Sequence, residues 1–402
     1  MSLNVLIAGA GLGGLALAQG LRQAGIGVTV YERDPSPNHR PQGYRIHVDA
    51  AGHAALAECL PADLFELYVA TSTRTPKTPL AVFFDHEFNQ IRVGETRAGD
   101  TSPRAPSAVN RLTLRQILLA RLGDSVRFSH ELVSFEDTGT GVRAQFGNGR
   151  TATGDVLVAA DGINSVVRRR LLPQAQIHDT GVRAITGKTP MDAIRADFPD
   201  QLDNTFTGVH TPDFRTLAMG VFQTRRPPAE AVAELAPDVA LDSVADYLMW
   251  LQLARVEDFP VPEEAIWRAD SATLHRLALD MLAGWHPDLL RLLERADLTA
   301  TFPLSIRAVL PVPEWPTTNV TLLGDAIHAM TPIGGRGGNT ALSDAALLAR
   351  QLTAVEKGEL DLRTAIAGYE SGMREHGYPA VTDSLQNAAR ALGARTPFSP
   401  AR

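Results

Sequence analysis

The chain has 402 residues, 44% hydrophobic and 21% charged, with a net charge of −7. This is ordinary globular composition, long enough for one large or two ordinary domains, and it offers no electrostatic footprint for nucleic acid or an anionic membrane. The single cysteine, Cys59, excludes an intramolecular disulfide and a thiolate metal cluster; it reads as a small core residue in a reducing cytoplasm.

The run from Leu3 to Tyr31 carries one charge, Arg22, yet its grouped glycines divide it into strand, turn and amphipathic helix, unlike a membrane span or signal peptide. Asn4 to Ala8 is an apolar strand. Gly9-Ala-Gly11-Leu-Gly13-Gly14 follows and opens a helix expected over Leu15 to Ala24, and Val28 to Tyr31 is a second strand closing on Glu32-Arg33. A Gly-x-Gly-x-x-Gly between strand and helix, with an acid ending the next strand, is a dinucleotide-binding arrangement. Gly9 makes the turn, Gly11 lets backbone approach a pyrophosphate, Gly14 permits close helix packing and Glu32 accepts hydrogen bonds from an adenosine ribose.

Tyr44 to Val48 reads as a strand with Arg45 and His47 on one face, open to two readings: a solvated face, or one turned to cofactor or substrate. A helix is expected over Ala50 to Cys59. The stretches Thr71 to Pro79 and Gly94 to Ser107 shift to Thr, Pro, Arg and Gly around a hairpin at Leu80 to Val93. Arg111, in the amphipathic helix after Asn110, is either a solvated basic residue or a phosphate or flavin contact. Short strands follow at Val126–Phe128, Glu131–Phe135 and Val142–Phe146. A buried strand then runs into Asp161-Gly162 and a helix bearing Arg168, Arg169 and Arg170. From Ile177 to about Trp267 the pattern predicts an antiparallel sheet, with strands near Gly181–Gly187, Thr205–His210, Thr216–Phe222 and Tyr247–Ala254; Arg225 to Asp242 is a loop or short helix. Helices are expected at Ser271–Ala283 and Pro287–Ala296. The apolar run Val320–Leu323 then ends in Gly324-Asp325, a Pro/Gly-rich turn, and a helix from about Asn339. That helix start, with its unpaired N–H groups and partial positive charge, suits an anionic or electron-rich ligand edge. Leu362 to Leu392 is helical.

Three patterns thus stand in order: Gly9-x-Gly11-x-x-Gly14 with Glu32, Asp161-Gly162, and Gly324-Asp325 with its glycine turn and Asn339. The chain resembles, over nearly its whole length, the single-component class A FAD-dependent flavoprotein monooxygenases, the group of p-hydroxybenzoate hydroxylase and the tetracycline-inactivating enzymes. The resemblance implies an α/β fold: a Rossmann-like FAD-binding domain with an inserted antiparallel β-sheet substrate domain and C-terminal helices. The FAD-binding domain would take residues 1–74, 103–176 and 268–402, and the substrate domain 75–102 and 177–267.

Carried over residue by residue, the resemblance implies that Gly9, Gly11 and Gly14 hold the FAD pyrophosphate, with Glu32 on the ribose and Arg33 beside the adenine. Arg45 and Arg111 would lie near flavin and pyrophosphate, Asp161 would serve FAD and NAD(P)H, and Asp325 the ribityl or pyrophosphate region. Pro332, Gly337, Gly338 and Asn339 would line the flavin ring. Arg336 stands where many members carry Gln, and Gly338 replaces a bulkier residue. The implied reaction is NADPH- or NADH-dependent reduction of FAD, addition of O2 to give a flavin C4a-hydroperoxide, and transfer of one oxygen atom to an aromatic or polycyclic substrate. Such chemistry belongs to the cofactor and asks no metal or catalytic triad of the protein. The substrate would meet Arg45, His47, His210, Arg215, Trp250 and Gln252. His47 and His210 are the two candidates for a base, although ordinary packing accounts for either; His328 reads as a structural residue behind the flavin turn. A flavin oxidase or dehydrogenase on the same scaffold, and a flavin-binding accessory protein without turnover, are the alternatives.

Overall fold

The computed structural model describes residues 2–39, 43–74, 78–94 and 108–397. The expected excursion at 75–102 falls partly outside them, at 75–77 and 95–102. A five-stranded parallel sheet runs in the order Val320–Leu322, Val156–Ala159, Asn4–Ala8, Gly27–Tyr31, Val126–Arg127. Val156–Ala159 is buried along its whole length, as an apolar run in a covered parallel sheet must be. Helices Leu12–Gln23, Gly337–Glu356 and Leu362–Leu392 pack into the same core, with Leu15, Leu342, Leu348 and Tyr369 among its fully buried members.

A second sheet of seven strands runs Phe302–Val309, Ile177–Pro190, Tyr247–Arg255, Thr216–Phe222, Asn204–His210, Thr78–Asp85, Gln90–Gly94. It is antiparallel except where Asn204–His210 lies parallel to Thr78–Asp85. Helices Ser271–Met281 and Pro287–Glu294 cover one face, burying Leu274, Leu277 and Leu289 against Ile185, Leu217, Met219 and Trp250. The opposite face meets the end of the Leu362–Leu392 helix through Ala184, Leu253 and Leu392. This is the α/β arrangement expected, with separate parallel and antiparallel sheets and C-terminal helices.

Local chemistry explains the helix starts. Asp49, Asn110, Asp270 and Asp361 each cap a helix by accepting a backbone N–H two or three residues into it. Among the elements not read from the sequence are the helices Ala62–Thr71 and Glu263–Arg268 and the strands Ala108–Asn110, Thr151–Gly154 and Phe302–Val309. The last is an edge strand containing Pro303, and proline is tolerated there because an edge N–H needs no ladder partner. Residues 271–309, expected with the nucleotide domain, pack on or within the seven-stranded sheet. No helix among the described residues is long and apolar enough to cross a membrane.

Candidate functional site

The first helix opens at Leu12, earlier than the expected Leu15, so Gly13 and Gly14 lie inside its first turn. Space demands this. A Cβ on Gly14 would collide with Gly9 O, and one on Gly13 would sit 2.6 Å from Leu323 Cδ2 and 3.1 Å from Ala341 O. Gly9 adopts φ +106°, a conformation open to glycine but strained for other residues. Gly11 differs: nothing lies within 4 Å of the Cβ it lacks. The first helical bond is Leu15 N to Gly11 O, leaving the N–H groups of Leu12, Gly13 and Gly14 without α-helical acceptors at the helix mouth.

Glu32 is 6% exposed and braces this loop. Its Oε2 accepts from Ala10 N at 2.8 Å and its Oε1 from Asp34 N at 2.9 Å. Each oxygen keeps acceptor capacity for a further hydroxyl. Arg115, which sequence reasoning passed over, is buried beside it, donating from Nε to Ala10 O at 3.0 Å, with its guanidinium 4.0 Å from Glu32. Arg33 next door keeps half its side chain exposed. Arg111 begins its helix immediately after the Asn110 cap, its N–H held by Tyr44 O.

At the adjoining strand end, Asp161 Oδ2 accepts from Val166 N at 2.9 Å. Its Oδ1 is buried with no partner among the described residues. Burial pushes the Asp161 carboxyl up in pKa, against hydrogen bonds from Ser165 and Val166. Arg168, fully buried, donates to Ala326 O at 2.6 Å and so ties this strand end to the Gly324-Asp325 turn. There Gly324 takes φ +63° and Asp325 begins the short helix Asp325–His328 with its side chain exposed.

The glycine turn follows, with Gly334 at φ +90° and Gly335 at φ +63°. The helix Gly337–Glu356 starts earlier than Asn339, and its first α-helical bond is Thr340 N to Arg336 O. The N–H groups of Gly337, Gly338 and Asn339 therefore form a second helix mouth. The Asn339 side chain does not project from it. Its Oδ1 accepts from Asp49 N, and its Nδ2 donates to His47 O and Gly335 O, each at 3.0 Å. It is a brace between the turn and the Arg45–His47 strand. Pro332 is exposed at the rim.

His47 packs beside Gly335, whose missing Cβ would lie 3.4 Å from His47 Cβ. Arg45 reaches away from the helix mouths to the seven-stranded sheet, donating to Val221 O at 3.1 Å; burial lowers its pKa to about 10. Ile333 of the turn packs against the apolar cluster on the face of that sheet away from helices Ser271–Met281 and Pro287–Glu294, where Ala218 is buried and Phe206, Leu251 and Leu304 are partly buried. His210 lies on the same face by alternation with Phe206, hydrogen-bonded to Thr216 Oγ1 at 2.9 Å and stacked on Phe83. Burial and Arg92 lower its pKa.

Three expected substrate contacts are placed elsewhere. Trp250 faces the helical layer, and Gln252 shares that face because its cross-strand neighbours Leu217 and Ile185 do. Arg215 turns to Met281 O and Asp213. Strand parity, which sequence alone leaves ambiguous when both faces are apolar, decides the first two.

The FAD binding domain family matches residues 2–227 and 309–383. A dual O-methyltransferase/FAD-dependent monooxygenase of Phaeosphaeria nodorum is 31% identical over 98% of this chain and 46% of its own. The chain thus spans about half the length of that relative. An FAD-dependent monooxygenase of Trichoderma harzianum is 28% identical over 94% of this chain and 91% of its own. Among solved structures, one from Photorhabdus luminescens, assigned as an FAD-containing monooxygenase, superposes with a TM-score of 0.83 at 30% identity, covering 97% of this chain and 99% of that one.

Proposed function

The chain belongs to the FAD-binding-domain family, whose matched members are FAD-dependent monooxygenases, and on that premise we propose that it is itself an FAD-dependent, NAD(P)H-consuming monooxygenase. Its substrate is an aromatic or polycyclic small molecule, into which it inserts one atom of O2. The observation that carries this reading is the juxtaposition of two helix mouths. Gly13, in the first turn of one helix, packs on Ala341 near the start of the other. Two sets of unsatisfied N–H groups therefore open side by side, with the buried, partnerless Asp161 Oδ1 and the exposed Asp325 at neighbouring strand ends. The fit to FAD is chemical: anionic phosphates for the helix mouths, ribityl and ribose hydroxyls for carboxylates.

On this reading Gly9, Gly11 and Gly14 with the N–H groups of Leu12 to Gly14 hold the pyrophosphate. Glu32 and Arg33 hold the adenosine, Arg111 stands at the pyrophosphate side, and Asp161 and Asp325 take the hydroxyl-bearing chain. Pro332 and the N–H groups of Gly337, Gly338 and Asn339 border the ring, while the Asn339 side chain keeps the turn in place. FAD, once bound, supplies the redox chemistry, taking reducing equivalents from transiently bound NADPH or NADH and passing one oxygen atom to the substrate. The protein orients the reactants and excludes water, a role that the packing of Ile333 against the apolar residues on one face of the seven-stranded sheet supports. Arg45 stands at the seam between its own short strand and the seven-stranded sheet, held by Val221 O. His210, kept neutral by its lowered pKa, is the better-placed candidate to accept a phenolic proton, with His47 the other. The buried Cys59 accords with a cytoplasmic setting.

The test is to purify the protein, record its visible spectrum and follow NADPH and NADH oxidation across a panel of phenolic and polycyclic compounds. A flavin spectrum, oxidation stimulated by one compound and a product heavier by one oxygen are expected. A protein that takes up no FAD overturns the reading.

A further inference from the structure

Asp344 is wholly buried in the middle of the Gly337–Glu356 helix. Its Oδ2 accepts from Gly324 N at 2.9 Å and from His328 Nε2 at 2.6 Å, and its Oδ1 accepts from His376 Nε2 at 2.7 Å. A lone carboxylate is strongly disfavoured in such a place; three donors converging on one group are what make it tolerable. Burial alone would raise the Asp344 carboxyl, but the two imidazoles hold it below its usual range. Burial likewise opposes charge on His328, and the Asp344 carboxylate more than offsets it. His328 cannot swing away, because the Leu362–Leu392 helix closes over it at Gly377, where an added Cβ would come 2.8 Å from His328 Cδ2.

The one backbone group this carboxylate grips is the N–H of Gly324, the residue at φ +63° from which the exposed Asp325 departs. Asp344 belongs to the same helix whose mouth, Gly337 to Asn339, forms the other part of the site. We propose that Asp344 is a positioning residue for FAD: it fixes the Gly324-Asp325 turn at a set distance from the Gly337–Asn339 mouth and thereby aims Asp325 at the cofactor, with His328 and His376 holding the carboxylate in register. The inference rests on the reading of Asp325 as an FAD ligand.

The experiment is FAD titration of the full chain, stripped of flavin and followed by flavin fluorescence, for Asp325→Asn, Asp344→Asn and the double variant. Each single change should weaken FAD binding about tenfold, as expected for one hydrogen bond to a charged group. Because Asp344 acts through Asp325, the double variant should lie within about twofold of Asp325→Asn. Asp344→Asn should also shrink the rise in melting temperature that FAD produces. Losses that multiply in the double variant, or equal falls in melting temperature with and without FAD, would show a purely structural carboxylate and overturn the proposal. If Asp344→Asn does not fold, the half-exposed His376 replaces it: His376→Gln, which keeps an N–H donor, should bind FAD within about twofold of the parent, whereas His376→Ala should bind at least about threefold more weakly. Equal affinities for those two variants would overturn it. If Asp325→Asn alone leaves FAD affinity unchanged, the assignment of Asp325 fails and the inference falls with it, which separates that failure from the others.

Discussion

A side chain on Gly52 would occupy the position of the Asn339 amide oxygen. Gly52 lies in the helix Ala50–Cys59, far from Asn339 in sequence, and it is glycine because Asn339 must reach past it to Asp49 N. Gly52→Ala should therefore act as an Asn339 substitution, lowering stability by about 1–3 kcal/mol through overpacking. Asn339→Ala should lose about 2–4 kcal/mol, since it strips partners from Asp49 N, His47 O and Gly335 O. The two effects should fall well short of additive in denaturant unfolding, because they remove the same brace.

Gly11 and Gly14 separate ligand space from packing space. Gly11→Ala meets nothing and its backbone, at φ −76°, suits any residue, so the FAD-free protein should keep its melting temperature within about 2 °C. Its FAD affinity should fall at least about tenfold if phosphate occupies that open space. Gly14→Ala meets Gly9 O and should destabilise the FAD-free protein itself by about 1–3 kcal/mol. Thermal melts and FAD titration of the two variants distinguish these outcomes.

Asp161 should trade stability for binding. Its pKa is raised in the folded chain, chiefly by burial, so the carboxyl favours folding below its unfolded value and this contribution is lost as pH rises through the folded value. At pH 7 Asp161→Asn should thus stabilise the FAD-free protein by up to about 1 kcal/mol, and the gap should close as pH falls into the carboxyl range. FAD affinity should drop in the same variant. Paired melts at pH 7 and pH 4 check the sign.

His210 offers a kinetic test. Its pKa is lowered by burial and by Arg92. If it accepts the substrate proton, kcat/KM falls on the acid side of that pKa, and Arg92→Gln moves the acid limb to higher pH by removing a like charge. An acid limb that stays in place returns the role to His47 or to solvent.

The sequence by itself determined the features that depend on local backbone chemistry. Gly9 and Gly324 sit at strand ends where positive φ is required, and Asn110, Asp270 and Asp361 cap the helices they precede. The Leu362–Leu392 helix and the hairpin ending near Val93 were legible for the same reason: their signals lie within a few residues of one another.

What only the tertiary structure decided are roles set by partners distant in the chain. Asn339 became a brace because Asp49 and His47 fold against it, and Arg115 serves the glycine loop because its helix crosses that loop. Asp344 became a buried anchor because Gly324 and His328 from one turn and His376 from the Leu362–Leu392 helix converge on it. The orientation of Trp250 and Gln252 followed from which sheet face the helices covered. A strand of apolar residues alternates faces in either register, so its sequence records the alternation, and only packing records which side is inward.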